Sequence, residues 1–487
     1  MQLCSGTIGP VTTMASFRET FGEFSATIHG VIVSSILIGG VITSLISGIL
    51  ADRYGRTRMI GLGSLIFGIG ATLETTSFQL PSFIVGRLIK GVGEGIFLST
   101  VYVLVAEVSP AKRRGTVANI PQLLISSGIL IGYFMCYGTA NMSGSLSWRL
   151  PLAIQAGIAF TNAAASALVP QSPRWLLAKG QVEQARAVIQ HLGIAEEEQQ
   201  ELLAQSVASG LEHSPDTSFM ESVRDTLREF KQAFSASVRG RTIFGCFIMS
   251  MQQFCGIDGV LYYAPILFAQ AGLDSAQASF LASGISALVL LLVTIPATLM
   301  CDMWGRKTSS LVGGTLISFL MFLMGSLYAA DKVHPGTPAA WTVIVCIYLF
   351  GCVFSVTWAL GFRMYMIESL PRKTRSSGAS LAQASNWLAN YIVALATPVF
   401  LATSTFGAYY FFALSALLCT IMCAIFMFET KGHSLELIEQ KYSERQAIKA
   451  KASASGIKRW KFSMQGFKSR RITTTKGLIC LIQVNWA

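Results

Sequence analysis

A short charged motif occurs twice in the sequence, and each copy joins two long apolar segments. The spacing Asp-x-x-Gly-Arg is found at 52–56 and again at 302–306. A second motif, Glu-x-x-Pro-x-x-x-Arg, follows each copy, at 107–114 and at 368–375. Because both motifs recur in the same order, the sequence predicts a bundle of membrane helices that has been duplicated within one chain.

The composition indicates an integral membrane protein. Of the 487 residues, 52% are hydrophobic and only 13% are charged, whereas about a quarter of the residues of a soluble domain are charged. The net charge of +12 could indicate nucleic-acid binding. However, the basic residues cluster in short links between apolar segments and in the tail, so membrane topology explains them and we expect no nucleic-acid partner.

Eleven segments are long and apolar enough to cross a bilayer, and a shorter apolar fragment precedes them. The basic links all fall on one side, which predicts that this side is cytoplasmic. The predicted spans lie near 29–51, 59–77, 82–108, 116–138, 148–169, 241–268, 277–300, 308–330, 340–367, 376–402 and 406–428.

The chain divides into four predicted parts. Residues 1–169 form an N-terminal transmembrane half, and residues 241–430 form a C-terminal one. Residues 170–240 contain two amphipathic stretches, which favour a cytoplasmic helical linker over a disordered one. Residues 431–487 form a basic cytoplasmic tail that contains no span.

Further motifs lie in a fixed order between about residues 6 and 435: Gly86–Gly95, Pro170–Leu176, Gln252–Asp258 and Glu429–Gly432. Together with the two links they resemble the sugar porter branch of the major facilitator superfamily, and within it the fungal hexose-type transporters. The resemblance implies an all-α membrane protein with the major facilitator fold. Two six-helix halves would be joined by a cytoplasmic helical linker, and the first helix would be incomplete.

In that family, ion pairs at the links hold the cytoplasmic gate shut while the carrier faces outward. A simpler role, in which the basic residues only set the topology, is also open. Arg87 lies within a span, where an ionisable group is costly and usually paired, and Glu74 and Glu94 are both candidate partners. The residues expected to act in gating are Asp52, Arg53, Gly55, Arg56, Arg87, Glu107, Arg114, Asp302, Gly305, Arg306, Glu368 and Arg375.

Sugar recognition requires groups that both donate and accept hydrogen bonds without burying a charge, and amide side chains do this. Aromatic faces cover the apolar side of a sugar ring. A Gln pair in a membrane helix can instead bond neighbouring helices together. The resemblance assigns the sugar site to Gln122, Gln252, Gln253, Asp258, Tyr263, Trp358, Asn386 and Trp387.

The chain departs from the family pattern at four places. Cys4 stands where proton-coupled members carry an Asp, which implies either an uncoupled carrier or a truncated gene model. Asp258 replaces an Asn, so we predict that it alters substrate choice or binds the coupled proton; the alternative is a charge paired with Arg363. The span near 340–367, the tenth when the incomplete first helix is counted, lacks the helix-breaking Gly-Pro at 357–363. Arg363 stands there in place of a Trp and could favour an acid sugar. Residues 440–487 match nothing in the family.

The expected function is secondary transport of a monosaccharide by alternating access, with protons as coupled partners if Asp258 titrates. The alternatives are an uncoupled facilitator, a sugar sensor on a carrier fold and an inactive truncated fragment. No phosphate-binding loop, HExxH motif or nucleophile arrangement occurs in the sequence, so we expect neither an enzyme nor a cofactor or metal. The lipid bilayer is the expected surrounding, and the resemblance implies the plasma membrane.

Overall fold

The computed structural model describes residues 3–109, 117, 119–192, 219–236, 238–273, 276–300, 303–371, 374–431, 440 and 442. Within these ranges the chain is almost entirely α-helical and contains no β-strand. Residues 1–431 form one compact unit, and residues 432–487 form another, of which two residues are described. The all-α prediction is confirmed.

The helices of the N-terminal half follow the predicted spans, with two short helices in front of them. In chain order they are α1 (Leu3–Thr13), α2 (Ala15–Phe21), α3 (Ala26–Tyr54), α4 (Arg56–Thr76), α5 (Leu80–Val108), α6 (Ile120–Thr139) and α7 (Leu146–Ser166).

Three helices lie in the linker region, at α8 (Pro173–Ala178), α9 (Val182–His191) and α10 (Phe219–Ala233). The C-terminal half contains α11 (Arg239–Phe254), α12 (Ile257–Tyr262), α13 (Ala264–Gln270), α14 (Ala276–Met300), α15 (Arg306–Ala329), α16 (Pro338–Val356), α17 (Trp358–Ser369), α18 (Arg375–Thr403) and α19 (Thr405–Phe426).

Ten helical segments of the described chain are long and apolar enough to cross a membrane. Helix α7, which we also predicted as a span, is not among them, although its 21 residues are sufficient in length. Its polar side chains bond neighbouring helices: Asn162 Nδ2 donates to Ser64 Oγ (2.7 Å), and Gln155 Nε2 donates to Thr7 Oγ1 (2.6 Å). Polar groups that are satisfied inside the bundle lower the hydropathy of α7 and fix its place in the half.

The two halves meet along α3 against α18 and along α6 against α14. Close approach at the first of these contacts depends on Gly30, because a Cβ added there would overlap the carbonyl oxygen of Leu395. Small residues allow membrane helices to pack backbone to backbone in this way.

Two spans of the C-terminal half are interrupted. Gly256, with φ 91°, separates α11 from α12 in the left-handed conformation that glycine adopts readily. Thr357 separates α16 from α17, with φ −110° and ψ −72°. The interruption of the tenth span is therefore present although the Gly-Pro of the family is not. Interrupted helices commonly form the binding site of a transporter.

Candidate functional site

A cavity of about 140 Å³ lies between the halves and is lined by side chains from both. Pockets for drug-sized ligands are larger, at about 300–1,000 Å³, so this cavity suits a small solute. Six of the eight residues that we assigned to the sugar site line it. They are Gln122, Gln252, Gln253, Asp258, Asn386 and Trp387.

The amide side chains of the cavity bond one another in a chain. Gln252 Nε2 donates to the carbonyl oxygen of Trp358 (2.9 Å). Asn386 Nδ2 donates to the carbonyl oxygen of Met249 (2.8 Å) and to Gln252 Oε1 (3.1 Å). Gln253 Nε2 in turn donates to Asn386 Oδ1 (3.3 Å). The Gln pair therefore both bonds helices together and faces the cavity, so the two roles weighed for it are compatible.

Asp258 is held by an amide and not by a charge. Its Oδ2 accepts a hydrogen bond from Asn390 Nδ2 (2.5 Å). Arg363 also lines the cavity, but it donates to the hydroxyl of Tyr102, and its guanidinium carbon lies 4.8 Å from the centre of the Tyr102 ring. The pairing of Asp258 with Arg363, which we weighed as an alternative, is not observed. The Arg363–Tyr102 contact instead joins α17 to α5 across the two halves.

Two residues assigned to the sugar site do not line the cavity. Tyr263 is 1% exposed and donates its hydroxyl to the carbonyl oxygen of Ala394 (2.7 Å). Trp358 is fully buried and donates Nε1 to the carbonyl oxygen of Ser310 (3.0 Å). These two assignments are corrected here, because both side chains face neighbouring helices and their polar atoms are satisfied there.

Several residues that line the cavity were not assigned to it from the sequence: Cys4, Arg87, Glu94, Tyr262, Arg363, Gln383 and Asn390. Two of them carried a usable signal. Glu94 is a carboxylate in the middle of an apolar span, and Asn390 lies one helical turn after Asn386, on the same face of α18. Cys4, at the position where the resemblance expects an Asp, lies in the wall with its sulfur 4.0 Å from Arg87 Nη1.

A group of buried charges lies beside the cavity in the N-terminal half. Glu74 accepts from Lys90 Nζ (2.7 Å), and Arg87 Nη1 lies 3.8 Å from the other carboxylate oxygen. Lys90 also donates to Gln155 Oε1 (2.7 Å). Glu74 is thus the partner of Arg87, and Lys90, to which we gave no role, is fully buried.

The link of the N-terminal half is fixed by Arg56. Its side chain pairs with Asp52 (2.7 Å) and donates through Nε and Nη2 to Glu107 at the end of α5 (2.8–3.2 Å). Gly55 adopts φ 97° beside the amide of Gln171, whose Oε1 accepts from the backbone N–H of Thr57 (3.1 Å). The linker residue Gln171 therefore caps the start of α4.

In the described part of the link of the C-terminal half, the contact between an arginine and a glutamate recurs. Arg306 Nη2 pairs with Glu368 at the end of α17 (3.0 Å). Glu429 accepts from the backbone N–H groups of Arg306 and Lys307 (2.7 and 3.1 Å), so it caps α15 where Gln171 caps α4. A Cβ added at Gly305 would overlap the Glu429 carboxylate. A carboxylate suits the positive end of a helix dipole.

The remaining predicted gating residues are Arg53, Arg87, Arg114, Asp302 and Arg375. Arg375 donates to the carbonyl oxygen of Leu370 (3.2 Å), and the guanidinium of Arg53 lies over the Tyr54 ring (5.8 Å). Arg87 lies 20 residues before Glu107 on α5, about 30 Å away along the helix, so it is not part of these links. Arg114 and Asp302 lie outside the described residues. The ion pairs Arg56–Glu107 and Arg306–Glu368 each join helices of the same half.

Comparison with known proteins identifies the family. The family model described as sugar (and other) transporter matches residues 5–442. The chain is 32% identical over 424 residues to the glucose transporter GlcP of Staphylococcus epidermidis, covering 86% of this chain and 90% of that protein. It is 31% identical over 462 residues to the MFS glucose transporter mfs1 of Aspergillus flavus, covering 89% and 84% of the two chains.

The fold is shared with solved structures of the E. coli xylose transporter XylE. Its inward-open form matches with a TM-score of 0.72 at 24% identity, over 90% of this chain and 96% of that one. The same major facilitator protein, solved as a proton:xylose symporter bound to 6-bromo-6-deoxy-D-glucose, gives a TM-score of 0.71 at 23% identity. The predicted major facilitator fold and the predicted family are both confirmed. The chain therefore belongs to the sugar (and other) transporter family and is a multi-pass integral membrane protein.

Proposed function

We propose that the protein is a secondary transporter that moves a monosaccharide across the membrane by alternating access. The observation that carries the proposal is the amide chain of Gln252, Asn386 and Gln253 in a small cavity between the two halves. Trp387 adds an aromatic face to the wall. A sugar ring needs this combination, because its hydroxyls donate and accept while its C–H face is apolar.

The halves are built to move as two bodies. Arg56–Glu107 and Arg306–Glu368 each tie helix ends within one half, so each half is expected to keep its own shape when the contact between the halves changes. The cavity would then open alternately to either side of the membrane around a fixed site. The sugar emerges chemically unchanged.

Proton coupling through Asp258 is part of the proposal. Asp258 lines the cavity, and among the described residues it is bonded by a neutral amide and by no basic side chain. An ionised Asp258 can bind a proton and release it again, which is what coupling requires. Binding of the proton would neutralise the site when a neutral sugar is bound. The proton:xylose symporter that shares the fold carries out such coupled transport.

An uncoupled facilitator is the second candidate, and one observation favours it. Cys4 occupies the cavity wall where the resemblance to proton-coupled carriers expects a carboxylate. That position therefore lacks the carboxylate that would carry the coupled proton.

Uptake assays separate these candidates. Yeast that lacks its own hexose carriers, and expresses the full chain in its plasma membrane, is given labelled glucose, xylose, galactose or galacturonate with and without an uncoupler. Saturable uptake that the uncoupler abolishes, and that Asp258→Asn makes insensitive to it, supports coupling through Asp258. Saturable uptake that survives the uncoupler in the wild type supports the facilitator. No uptake from protein that reaches the membrane contradicts the transport proposal.

A further inference from the structure

The hydrogen-bond chain in the cavity has a fixed direction. Gln252 and Asn386 each donate to a backbone carbonyl oxygen, those of Trp358 and Met249, and a carbonyl can only accept. Gln252 Oε1 must therefore face Asn386, and Asn386 Oδ1 must accept from Gln253 Nε2. The two backbone carbonyls therefore set the orientation of every amide in the chain.

This direction leaves acceptors without donors. Gln253 Oε1 is at the end of the chain and has no partner among the described residues. Asn390 must turn its Nδ2 toward the Asp258 carboxylate, and its Oδ1 is likewise unpartnered. Gln253 is 7% exposed and Asn390 is 6% exposed, and both line the cavity. We call Gln253 Oε1, Asn390 Oδ1 and the Asp258 carboxylate the acceptor surface.

Among the described residues, the guanidinium groups of the cavity wall make no ion pair with the acceptor surface. Arg87 donates to the carbonyl oxygen of Val33 (2.8 Å) and lies 3.8 Å from Glu74. Arg363 is bonded to Tyr102 on the opposite half. Each guanidinium of the wall thus has a partner elsewhere in the protein.

The carboxylates of the wall are in the opposite situation. In the described part of the chain, no ion pair links Asp258 to a basic side chain, and Glu94 faces the same cavity from α5. The wall therefore presents two carboxylates and two unpartnered amide oxygens to the solute, while each of its guanidinium groups is bonded to another group of the protein.

We propose that the cavity selects an amino sugar, a monosaccharide whose protonated amine bonds the acceptor surface. This inference rests on the proposed function, since it names the substrate class of the same site. An ammonium group offers three N–H donors and one positive charge, and a bond between ionised partners is about twice as strong as one between neutral groups. A neutral hydroxyl supplies a single donor, and a sugar acid would place its carboxylate against Asp258.

The test compares labelled glucosamine with labelled glucose in yeast that lacks its own hexose carriers and expresses the full chain. At about pH 6 a primary amine is protonated, because its pKa is near 8. We expect half-saturation at an approximately tenfold lower concentration of glucosamine than of glucose, the factor that one charge-assisted bond supplies. N-acetylglucosamine, in which the amine is capped, is expected to lose this advantage.

Two variants locate the effect. Asp258→Asn removes the carboxylate and should bring the ratio of the half-saturation concentrations of the two sugars close to one. Asp258→Glu keeps the carboxylate and should preserve a preference for glucosamine. Asp225→Asn makes the same chemical change on α10, where the carboxylate is 58% exposed and remote in sequence from the cavity, and should leave the ratio unchanged.

The outcomes are distinct. One outcome is that the wild type takes up glucose but shows no preference for glucosamine over glucose and N-acetylglucosamine. That result overturns the inference and leaves the transport proposal intact. The comparison uses only the wild-type protein, so it does not depend on whether a variant folds. A preference that Asp258→Asn does not alter also overturns it. Uptake of neither sugar by protein at the cell surface contradicts the proposed function together with the inference.

Discussion

The guanidinium of Arg56 donates to both carboxylate oxygens of Glu107, with Nε 3.2 and 3.1 Å from Oε1 and Oε2 and Nη2 2.8 Å from Oε1. The contact joins the first residue of α4 to the last turn of α5. A planar guanidinium can make such a forked contact and an ammonium cannot. The pair therefore fixes the relative position of two helix ends as well as balancing charge.

Replacing Arg56 with lysine should keep the charge but lose the fork. We expect a loss of about 1–2 kcal/mol in stability, because the side chains are largely buried and a charge-assisted bond has this magnitude. The melting temperature of the purified protein in detergent and the maximal uptake rate should both fall. Arg58→Lys is the matched control, since Arg58 is exposed on the same helix. Equal effects of the two substitutions would show that the fork has no role.

Gly30→Ala should impair the contact between the halves. The new methyl group would overlap the carbonyl oxygen of Leu395 on α18, and overpacking of this kind costs about 1–3 kcal/mol. Gly48→Ala on the same helix is the control, because a Cβ there meets nothing within 4 Å. We expect Gly30→Ala to lower the uptake rate and Gly48→Ala to leave it near the wild-type value. Normal uptake by Gly30→Ala would mean that transport does not depend on the close packing of α3 against α18 at Gly30.

Removing one partner of the buried pair Lys90–Glu74 should destabilise the protein strongly. Both side chains are fully buried, and an uncompensated buried charge costs about 3–5 kcal/mol. Glu74→Met should therefore lower the melting temperature sharply, because it leaves both Lys90 and Arg87 without their shared carboxylate, and Glu74→Met with Lys90→Met should recover part of the loss. The exposed pair Arg228–Asp225 provides the comparison: Arg228→Met should cost at most about 1 kcal/mol. If the double variant is as unstable as the single one, the ion pair between Lys90 and Glu74 does not contribute to the stability of the protein.

Sequence reasoning predicted the spans well because each is a long apolar run between charged links, and it found the links because they recur. It did not predict which of two adjacent tyrosines would face the cavity. Tyr262 ends α12 and Tyr263 lies between α12 and α13, so the helical repeat that relates sequence to face is broken at this point. Tyr262 lines the cavity and Tyr263 does not.

The buried charges show a second limit. Lys90 occurs within an apolar run, and its partner Glu74 belongs to a different helix. A single sequence contains no signal that pairs the two, since the contact depends on how α4 packs against α5. Trp358 directly follows the interruption at Thr357, and its ring nitrogen donates to Ser310 on α15. The missing Gly-Pro gave no indication that an interruption would remain.

Substitutions at Gln253 and Tyr263 should separate substrate binding from packing. Gln253→Ala removes a cavity amide and should raise the half-saturation concentration about tenfold, the effect of losing roughly 1.4 kcal/mol of binding. Tyr263→Phe removes a hydroxyl that bonds the carbonyl oxygen of Ala394 and should cost about 1 kcal/mol of stability with little change in half-saturation. A large rise in half-saturation for Tyr263→Phe would return this residue to the sugar site.

Counterflow in liposomes tests the central claim most directly. Purified full-length protein is reconstituted, the vesicles are loaded with a high concentration of unlabelled glucosamine or glucose, and they are then diluted into a trace of the same labelled sugar without any ion gradient. An alternating-access carrier should accumulate the label transiently above its outside concentration, and Gln253→Ala should need a higher internal concentration to do so. Entry of label that only equilibrates, or no entry with either sugar, would contradict the account.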